Sequence, residues 1–277
     1  MPELPEMQAL GERLDAQLAG ATLTSVSPMQ FSAAKTYDPP IESLVDKTLV
    51  SVGHRAKYLV FEFGAARLLL HLSQGGRVDV EEKAKTTRPK GSVLRLVFGD
   101  RGALLVKEFG TQRKAGWWVL KPGDDGPLER LGPDPFDPAF ETLILESNDG
   151  RRLHTMLRDQ RVVSGIGRGY SDDILHRARL SPYAPLRSLD EAARRSLVQT
   201  IRDVLTEALA GERKRSGGLP PKLGDRFTIH RRAGEPCPRC GDTLRRVSFE
   251  DYEIAYCPTC QTRGVVLADR RLSRLVK

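Results

Sequence analysis

The sequence has no cysteine before position 237, and it lacks any apolar run that approaches the length of a transmembrane helix. Such a helix needs about 20 consecutive apolar residues, so the chain is not expected to span a membrane. The opening residues, MPELPEMQAL, include two glutamates and no apolar core of the kind that a signal peptide carries. We therefore expect a cytoplasmic protein that is not secreted.

Acidic residues are too few to balance the basic ones: 44 lysines and arginines stand against 36 aspartates and glutamates, which gives a net charge of +8. Basic side chains that neutralise phosphates release condensed counterions, so this excess favours a nucleic acid as the partner. A protein with a merely basic surface would have the same composition, and the charge alone leaves both interpretations open.

The spacing of apolar residues changes along the chain. In residues 4–20 they recur at three- and four-residue steps, which predicts one helix. Residues 21–120 contain short apolar runs bounded by turn residues, and these predict the strands of a sandwich or barrel-like domain. The predicted strands are residues 22–26, 57–63, 67–72, 92–98 and 103–107.

Helical spacing dominates the next part of the chain, after a Pro- and Gly-rich stretch at residues 131–138 that predicts a linker or a sharp turn. Ser188 and Glu191 have the spacing of a capping box, which predicts the start of the clearest helix. The sequence therefore predicts three domains: residues 1–130, 131–225 and 226–277.

All four cysteines lie in two C-x-x-C pairs, Cys237 with Cys240 and Cys257 with Cys260, separated by sixteen residues. Two such pairs let four thiolates close a tetrahedron around one zinc ion, and the spacer is long enough for a β-hairpin. With every ligand position filled by protein, the zinc is predicted to be structural. A redox pair is the alternative interpretation, but two pairs at zinc spacing favour the metal.

A proline and a glutamate follow the initial methionine. Removal of Met1 would give Pro2 a secondary amine, which can attack an aldehyde-like carbon and form an electrophilic iminium. Glu3 lies beside it as a candidate general acid or base. Pro-Glu ahead of a helix is also an ordinary helix start, so the pattern alone does not decide between catalysis and structure.

Several motifs, in order along nearly the whole chain, resemble those of the formamidopyrimidine-DNA glycosylase/endonuclease VIII family. They are the opening PELPE, Lys57 within HRAKYL, His71 with Leu72, DQ at 159–160 ahead of GIG at 165–167, YSDDIL at 170–175, and RAGEPC leading into the cysteine pairs. The resemblance implies an α+β fold with an N-terminal β-sandwich and flanking helices. A helical helix–two-turns–helix domain and a four-cysteine zinc-finger β-hairpin would follow.

The resemblance also implies a function, namely a base-excision-repair DNA glycosylase with AP-lyase activity, acting as a monomer on damaged DNA in a bacterial-type nucleoid. Pro2 would attack C1′ of a flipped damaged nucleotide, Glu3 would protonate its sugar, and Lys57 would assist near the phosphate. DNA would lie in the cleft between the domains. The residues implied to contact DNA are Glu6, His71, Gln74, Arg113, Arg168 and Tyr170.

The sequence departs from the family pattern at several positions. Arg168 stands where an asparagine is usual, Gln74 where a methionine wedges into the DNA, and Ala115 where an aromatic fills the void. Tyr252 falls near the usual hairpin arginine, which leaves one phosphate contact and the second elimination without their usual residue. The stretch ahead of the first cysteine pair is short, and this favours oxidised pyrimidines or ring-opened bases over 8-oxoguanine.

Two other functions stay open. An abasic-site lyase that excises few bases would use the same nucleophile and acid, because weak recognition of the base leaves the sugar chemistry intact. A catalytically weak protein that binds damaged DNA would need neither, so the presence of both argues for an enzyme. The basic C-terminal residues Arg263, Arg270, Arg271 and Arg274 would add nonspecific affinity for DNA or form a solvated end.

Overall fold

The structure is a computed structural model that describes residues 1–109, 113–221, 226–249 and 252–268 of the chain. The residues cluster into two compact units, Met1–Arg130 with Ala208–Gly224 and Leu131–Glu207 with Asp225–Lys277. The three-domain division made from the sequence stays a prediction. Within the ranges described, no helix combines the length and the apolar character that crossing a membrane requires.

The first unit opens with helix α1, Leu4–Leu18, and continues as eight strands. The strands are β1 (Ser25–Pro28), β2 (Ser51–Arg55), β3 (Tyr58–Phe63), β4 (Ala66–His71), β5 (Gly76–Glu81), β6 (Ser92–Val97), β7 (Ala103–Glu108) and β8 (Gly116–Leu120). They form two antiparallel four-stranded sheets, with the orders β1-β6-β7-β5 and β2-β3-β4-β8. This arrangement confirms the predicted sheet-rich N-terminal domain.

The strands predicted from apolar runs are confirmed as β3, β4, β6 and β7, and the first run overlaps β1. Strands β2, β5 and β8 were not predicted; SVGHR of β2 holds one apolar side chain, and GRVDVE of β5 holds glycine and charged residues at four of six positions. The apolar side chains of β2 and β5 are few, and pairing with β3 and β7 supplies the context that makes them strands.

One core joins α1 to both sheets. Its fully buried members include Leu10 and Leu14 of α1, Phe61 of β3 and Leu94 of β6. Helix α1 lies so close to β2 that a Cβ on Gly11 would stand 3.1 Å from the carbonyl oxygen of Gly53. This packing fixes the start of α1, and with it the residues that precede the helix.

The second unit is mainly helical. Its elements are α2 (Pro138–Glu146), α3 (Leu153–Arg158), α4 (Arg168–Arg177), α5 (Glu191–Arg213), the antiparallel strands β9 (Arg245–Ser248) and β10 (Glu253–Tyr256), and α6 (Pro258–Thr262). The last six residues of α5 cluster with the first unit. The predicted α+β fold, with helices followed by a four-cysteine β-hairpin, is confirmed.

The start of α5 differs from the prediction. The side chain of Asp190 accepts the N–H of Ala193 at 2.8 Å, so Asp190 caps the helix. The hydroxyl of Ser188 instead donates to the carbonyl of Pro185 at 2.7 Å. The capping box predicted for Ser188 and Glu191 is therefore wrong, because the aspartate next to the helix is the better placed acceptor.

The stretch at 131–138 is bonded within the second unit. The N–H of Gly132 donates to the carbonyl of Gln160 at 2.8 Å, and the N–H of Ser164 donates to the carbonyl of Pro133 at 3.0 Å. Asp137 then caps α2 by accepting the N–H of Ala139 at 2.8 Å. The proline-rich segment is thus a sequence of tight turns that leads into α2.

Candidate functional site

The N-terminal residues are held by the first turn of α1. Pro2 is buried, and Glu3 is 3% exposed at the N-cap of the helix. The carboxylate of Glu6, itself fully buried, accepts the backbone N–H of Glu3 at 2.6 Å. Glu6 therefore positions Glu3 and Pro2, whereas its contact with DNA stays a prediction.

Replacement of Glu6 by alanine is expected to destabilise the fold by about 1 to 2 kcal/mol, because the capping bond is lost and the buried N–H of Glu3 is left without its acceptor. Urea-induced unfolding measures this loss. Glu6→Gln keeps an acceptor oxygen and should lose less than Glu6→Ala. Equal stability of the wild type and Glu6→Ala would contradict a positioning role.

Lys57 occupies a tight turn between two paired strands. Arg55 of β2 pairs with Tyr58 of β3, which leaves Ala56 and Lys57 to form the connection. Ala56 has a φ of 54°, and Lys57 is only 5% exposed. A lysine buried to this extent is costly unless its charge is compensated, so a turn that buries one favours a functional role.

His71 ends β4 opposite Tyr58, and the centroids of the two rings lie 4.7 Å apart. Burial, and secondarily the charge of Lys57, lowers the pKa of His71 to about 4. The ring is therefore neutral near pH 7 and carries one N–H donor and one acceptor. Its predicted contact with DNA, which stays a prediction, would be a hydrogen bond and not an ion pair.

The lowered pKa of His71 predicts how stability depends on pH. The unfolded chain has the ordinary value of about 6.5, so it binds the proton before the folded chain does. His71 therefore costs no stability above that pH and destabilises the fold as the pH falls from about 6.5 towards 4. NMR titration, with the signal assigned by its loss in His71→Gln, should give a midpoint near 4. A midpoint between 6 and 7 would refute the assignment.

An exposed turn follows β4. Gln74 is exposed, while a Cβ on Gly75 would stand 1.9 Å from the carbonyl oxygen of Phe109, so only glycine fits there. The N–H of Phe109 donates to the carbonyl of Gly75 at 2.9 Å. The structure thus brings the turn that carries Gln74 next to Phe109, an aromatic residue that is 42% exposed and that was not predicted from the sequence.

The segment after β7 carries Arg113, and residues 110–112 lie outside the described part of the chain. The buried carboxylate of Glu108 accepts the N–H groups of Lys114 at 2.7 Å and Ala115 at 2.9 Å. Ala115 is buried, so it cannot probe DNA, whereas Arg113 is exposed. Glu108 was not predicted, because nothing in the sequence indicates that its side chain organises this segment.

In the second unit, a glutamine organises the turn before α4. The side chain of Gln160 donates to the carbonyl of Ile166 at 2.7 Å and accepts the N–H of Gly165 at 2.9 Å. This turn presents Arg168, the half-buried first residue of α4. Tyr170 is 2% exposed. Its contact with DNA stays a prediction, and it would have to be made by the backbone or follow a small movement of the side chain.

Two aspartates of the YSDDIL motif act inside the second unit. Asp173 accepts the backbone N–H groups of Thr228, Ile229 and His230 at 2.7, 2.9 and 3.3 Å. Burial raises the pKa of Asp173 to about 6, although these donors lower it. Asp172 is fully buried, with one oxygen 2.6 Å from Nδ1 of His230. The two carboxylates therefore fix the turns that lead to the cysteines.

The four cysteines form the predicted metal site. Their Sγ atoms all lie within 4.8 Å of one another, which fits a tetrahedron of Zn–S bonds of about 2.3 Å. The Nε2 atom of His176 lies 3.2 Å from Sγ of Cys237. Burial, with the charge of Arg239 nearby, lowers the pKa of His176 to about 4, so its ring is neutral. The cysteine set Cys237, Cys240, Cys257 and Cys260 binds one structural zinc ion.

The finger is tied to α4 by bonds other than the metal. Arg239 donates to the carbonyls of His176 at 2.9 Å and Arg177 at 3.2 Å. Gln261 donates to the carbonyl of Leu180 at 3.0 Å. Of the basic C-terminal residues, Arg263 is exposed at the end of α6, whereas Arg270, Arg271 and Arg274 lie outside the described residues.

Three family models match consecutive parts of the chain. The model described as formamidopyrimidine-DNA glycosylase N-terminal domain matches residues 1–118. The formamidopyrimidine-DNA glycosylase H2TH domain matches residues 131–217, and the zinc finger found in FPG and IleRS matches residues 234–263. The matches include the N-terminal pair Pro2-Glu3, α4 and all four cysteines.

Relatives with these domains are found in several bacteria. The formamidopyrimidine-DNA glycosylase of Alkalilimnicola ehrlichii is 31% identical over 286 residues, which cover 94% of this chain and all of that protein. An uncharacterized formamidopyrimidine-DNA glycosylase-like protein of Mycobacterium tuberculosis is 45% identical over 152 residues, which cover 53% of this chain and 94% of that protein.

Solved structures share the fold. The formamidopyrimidine-DNA glycosylase of Lactococcus lactis, bound non-covalently to DNA that contains an AP site, has a TM-score of 0.83 at 25% identity. It covers 94% of this chain and 99% of its own. The MutM (Fpg) protein of Thermus thermophilus has a TM-score of 0.79 at 29% identity, with 94% and 98% covered.

Proposed function

The chain belongs to the formamidopyrimidine-DNA glycosylase family, and on that premise we propose that it excises a damaged base and then cleaves the strand at the resulting abasic site. Its partner is damaged DNA, on which it acts as a monomer in the cytoplasm. The net charge of +8 supports a polyanionic partner.

The proposed reaction begins after removal of Met1. The amine of Pro2 attacks C1′ of the flipped nucleotide, the bond between C1′ and the base breaks, and the base leaves with a proton. Glu3 donates a proton to the sugar ring oxygen as the ring opens, which gives an iminium between Pro2 and C1′. Loss of a proton from C2′ then expels the 3′ phosphate by β-elimination, with Lys57 near that phosphate.

The burial of Glu3 at the N-cap of α1 is the observation that carries the proposal. The side chain of Glu3 is 3% exposed, directly follows Pro2 and forms a capping box with Glu6, so it is held in one place beside the amine. The bond from its N–H to Glu6 fixes the backbone at this point. Lys57, which is buried in the turn between β2 and β3, is a second ionisable group that is shielded from solvent.

For the lesion, we propose oxidised pyrimidines or ring-opened bases in preference to 8-oxoguanine. The support is the short stretch between Gly218 and Cys237, which offers little chain to cover a flipped base. A lyase that acts mainly on abasic sites is the second candidate function, since the same short stretch would recognise any base weakly.

Borohydride trapping tests the proposed function. Protein with a native, Met-free N-terminus is incubated with labelled duplexes that carry an abasic site, thymine glycol, dihydrouracil, 8-oxoguanine or formamidopyrimidine, and borohydride reduces any iminium to a stable adduct. We expect an adduct that maps to Pro2 by mass spectrometry, and its absence when an N-terminal tag blocks the amine. The Pro2→Gly variant shows how much the secondary amine contributes.

The lesions that trap decide the substrate class. Adducts with thymine glycol, dihydrouracil or formamidopyrimidine would support base excision of the proposed kind. Adducts with the abasic duplex alone would favour the lyase. Tight binding without any adduct would refute the enzyme and leave a protein that binds damaged DNA.

Phe109 is expected to stack on a DNA base beside the lesion. Stacking of an aromatic on a base contributes about 1 to 3 kcal/mol, so Phe109→Ala should weaken binding to a duplex with an abasic-site analogue by about tenfold. Fluorescence anisotropy measures the dissociation constants. Phe31→Ala, at a phenylalanine that is 86% exposed in the same unit, is the matched control and should change little. Equal effects of both variants would count against stacking.

A further inference from the structure

A pocket of about 310 Å³ lies within the second unit. Basic groups dominate its lining: Arg168 from α4, Arg231 and His230 from the segment before the finger, and Arg246 from β9. Asp172 binds His230 in this pocket, and Glu253 pairs with Arg246 at 2.8 Å. Among the described residues of the lining, three arginines stand against two carboxylates, so the pocket suits an anion.

One wall of this pocket is the ring of Tyr252. The ring of Phe249 stacks on it, with centroids 4.4 Å apart and planes inclined by 8°. The guanidinium carbon of Arg158, the last residue of α3, lies 3.7 Å from the centroid of Tyr252, and that of Arg168 lies 5.0 Å from it. A single tyrosine thus holds two arginines that are ten residues apart in the sequence.

This stack has a consequence for ligand binding. A guanidinium that lies over a ring contacts it through its face, whereas its N–H donors point outward in its own plane. An anion seated beside both guanidiniums can accept hydrogen bonds from both. The rigid ring also lowers the entropy that each arginine loses when it binds.

Tyr252 stands near the position where the resemblance places an arginine of the hairpin. The structure brings two arginines to that tyrosine from outside the hairpin, namely from the end of α3 and the start of α4. The positive charge is thus supplied by α3 and α4, and the hairpin contributes the aromatic surface that orders it.

We propose that Arg158 and Arg168, held on the ring of Tyr252, together bind a phosphodiester group of the DNA strand. Arg158 is the new assignment, as a binding residue that does not touch the reacting atoms, and Tyr252 is the residue that positions it. This inference rests on the proposed function, since it takes DNA as the ligand. The alternative is that the stack only fastens the hairpin to α3, in which case its charge would not matter for binding.

Salt-dependent binding of the full-length, zinc-loaded protein separates these possibilities. The probe is a duplex with a tetrahydrofuran abasic-site analogue, and the dissociation constant is measured over a range of KCl concentrations. Arg158→Ala should weaken binding about tenfold and reduce the slope of log affinity against log salt by about 1, as loss of one phosphate contact does. Arg158→Lys keeps the charge and should retain most of the slope.

The tyrosine is tested in the same assay. Tyr252→Leu should weaken binding severalfold although it changes no charge, whereas Tyr252→Phe, which keeps a ring, should stay within about twofold of the wild type. Because Tyr252 acts through the arginines, Tyr252→Leu should have a smaller effect in the Arg158→Ala background than alone. Additive effects of the two variants would contradict positioning.

A second arginine–tyrosine stack in the same unit is the matched control. The guanidinium of Arg152 lies over the ring of Tyr183 at the same distance of 3.7 Å, and Tyr183, unlike Tyr252, does not line the pocket. Arg152→Ala and Tyr183→Leu should leave the salt slope unchanged. If Arg158→Ala only matches Arg152→Ala in affinity and slope, the proposal is overturned.

The failure of this inference is distinguishable from failure of the proposed function. Borohydride adducts at Pro2 in the wild type, together with an unchanged salt slope in Arg158→Ala, would refute the phosphate site alone. A wild type that neither binds the abasic duplex nor forms an adduct would refute both. Equal zinc content and circular dichroism spectra of all variants establish that they fold alike.

Discussion

Glu3→Gln is expected to lower the rate of base excision by at least about 100-fold, in the range by which general acids accelerate reactions. The substitution keeps the size of the buried side chain and changes the group that can deliver a proton. The backbone bond from Glu3 to Glu6 is unaffected, so the helix start should stay intact. Single-turnover kinetics on a duplex with thymine glycol or dihydrouracil measure the loss.

The abasic duplex gives the diagnostic comparison for Glu3→Gln. The sugar of an abasic site opens to its aldehyde in water without help from the enzyme, so adduct formation at Pro2 should decline much less than base excision does. Glu12→Gln is the matched control, since Glu12 lies on the exposed side of the same helix and pairs with Arg213 at 2.7 Å. Equal losses on both substrates would indicate that Glu3 supports the structure of the N-terminus and is not the acid.

Removal of zinc is expected to abolish DNA binding while the first unit stays folded. The small core around the finger consists of Ile229, Cys237, Leu244, Ala255 and Cys257, and two of these five buried residues are themselves zinc ligands. Binding of structural zinc contributes about 10 to 16 kcal/mol in zinc-finger peptides, which is comparable with the whole stability of a domain. Without the metal this region has too little apolar surface to stay ordered.

The tryptophans make the zinc experiment selective. Trp117 and Trp118 both belong to β8 in the first unit, so tryptophan fluorescence reports on that unit alone. Chelation should leave the fluorescence nearly unchanged and raise the dissociation constant for the abasic duplex by at least about 100-fold. Added zinc should restore binding. Undiminished binding by protein shown to contain no zinc would contradict the structural role.

The parts of the fold that depend on local pattern could be predicted from the sequence. The spacing of Leu10 and Leu14 predicts α1, and the two C-x-x-C pairs predict the metal site, because all the information lies within a few residues. Local pattern also has a limit, which the start of α5 shows. Ser188 and Asp190 are both acceptable capping residues, and only the folded backbone selects between them.

The contacts that organise the site are made by side chains without an unusual local pattern, and the sequence does not predict them. Glu108 orders the segment of Arg113 through two bonds to backbone six and seven residues away. Arg158 meets Tyr252 across more than ninety residues, although neither has an unusual local pattern. Phe109 looks like an ordinary residue at the end of a strand until its exposure is known. Such roles follow from tertiary structure alone.

The segment between Leu219 and Thr228 is secured at both ends by bonds to other parts of the chain. On one side the N–H of Leu219 donates to the carbonyl of Val78 at 2.7 Å, and on the other the N–H of Thr228 donates to Asp173 at 2.7 Å. A stretch anchored in this way can be lengthened or replaced without disturbing either anchor, because each additional residue adds little loop entropy. Under the proposal that this stretch recognises the lesion, a longer loop grafted between these anchors would change the choice of lesion while the rest of the enzyme stays the same.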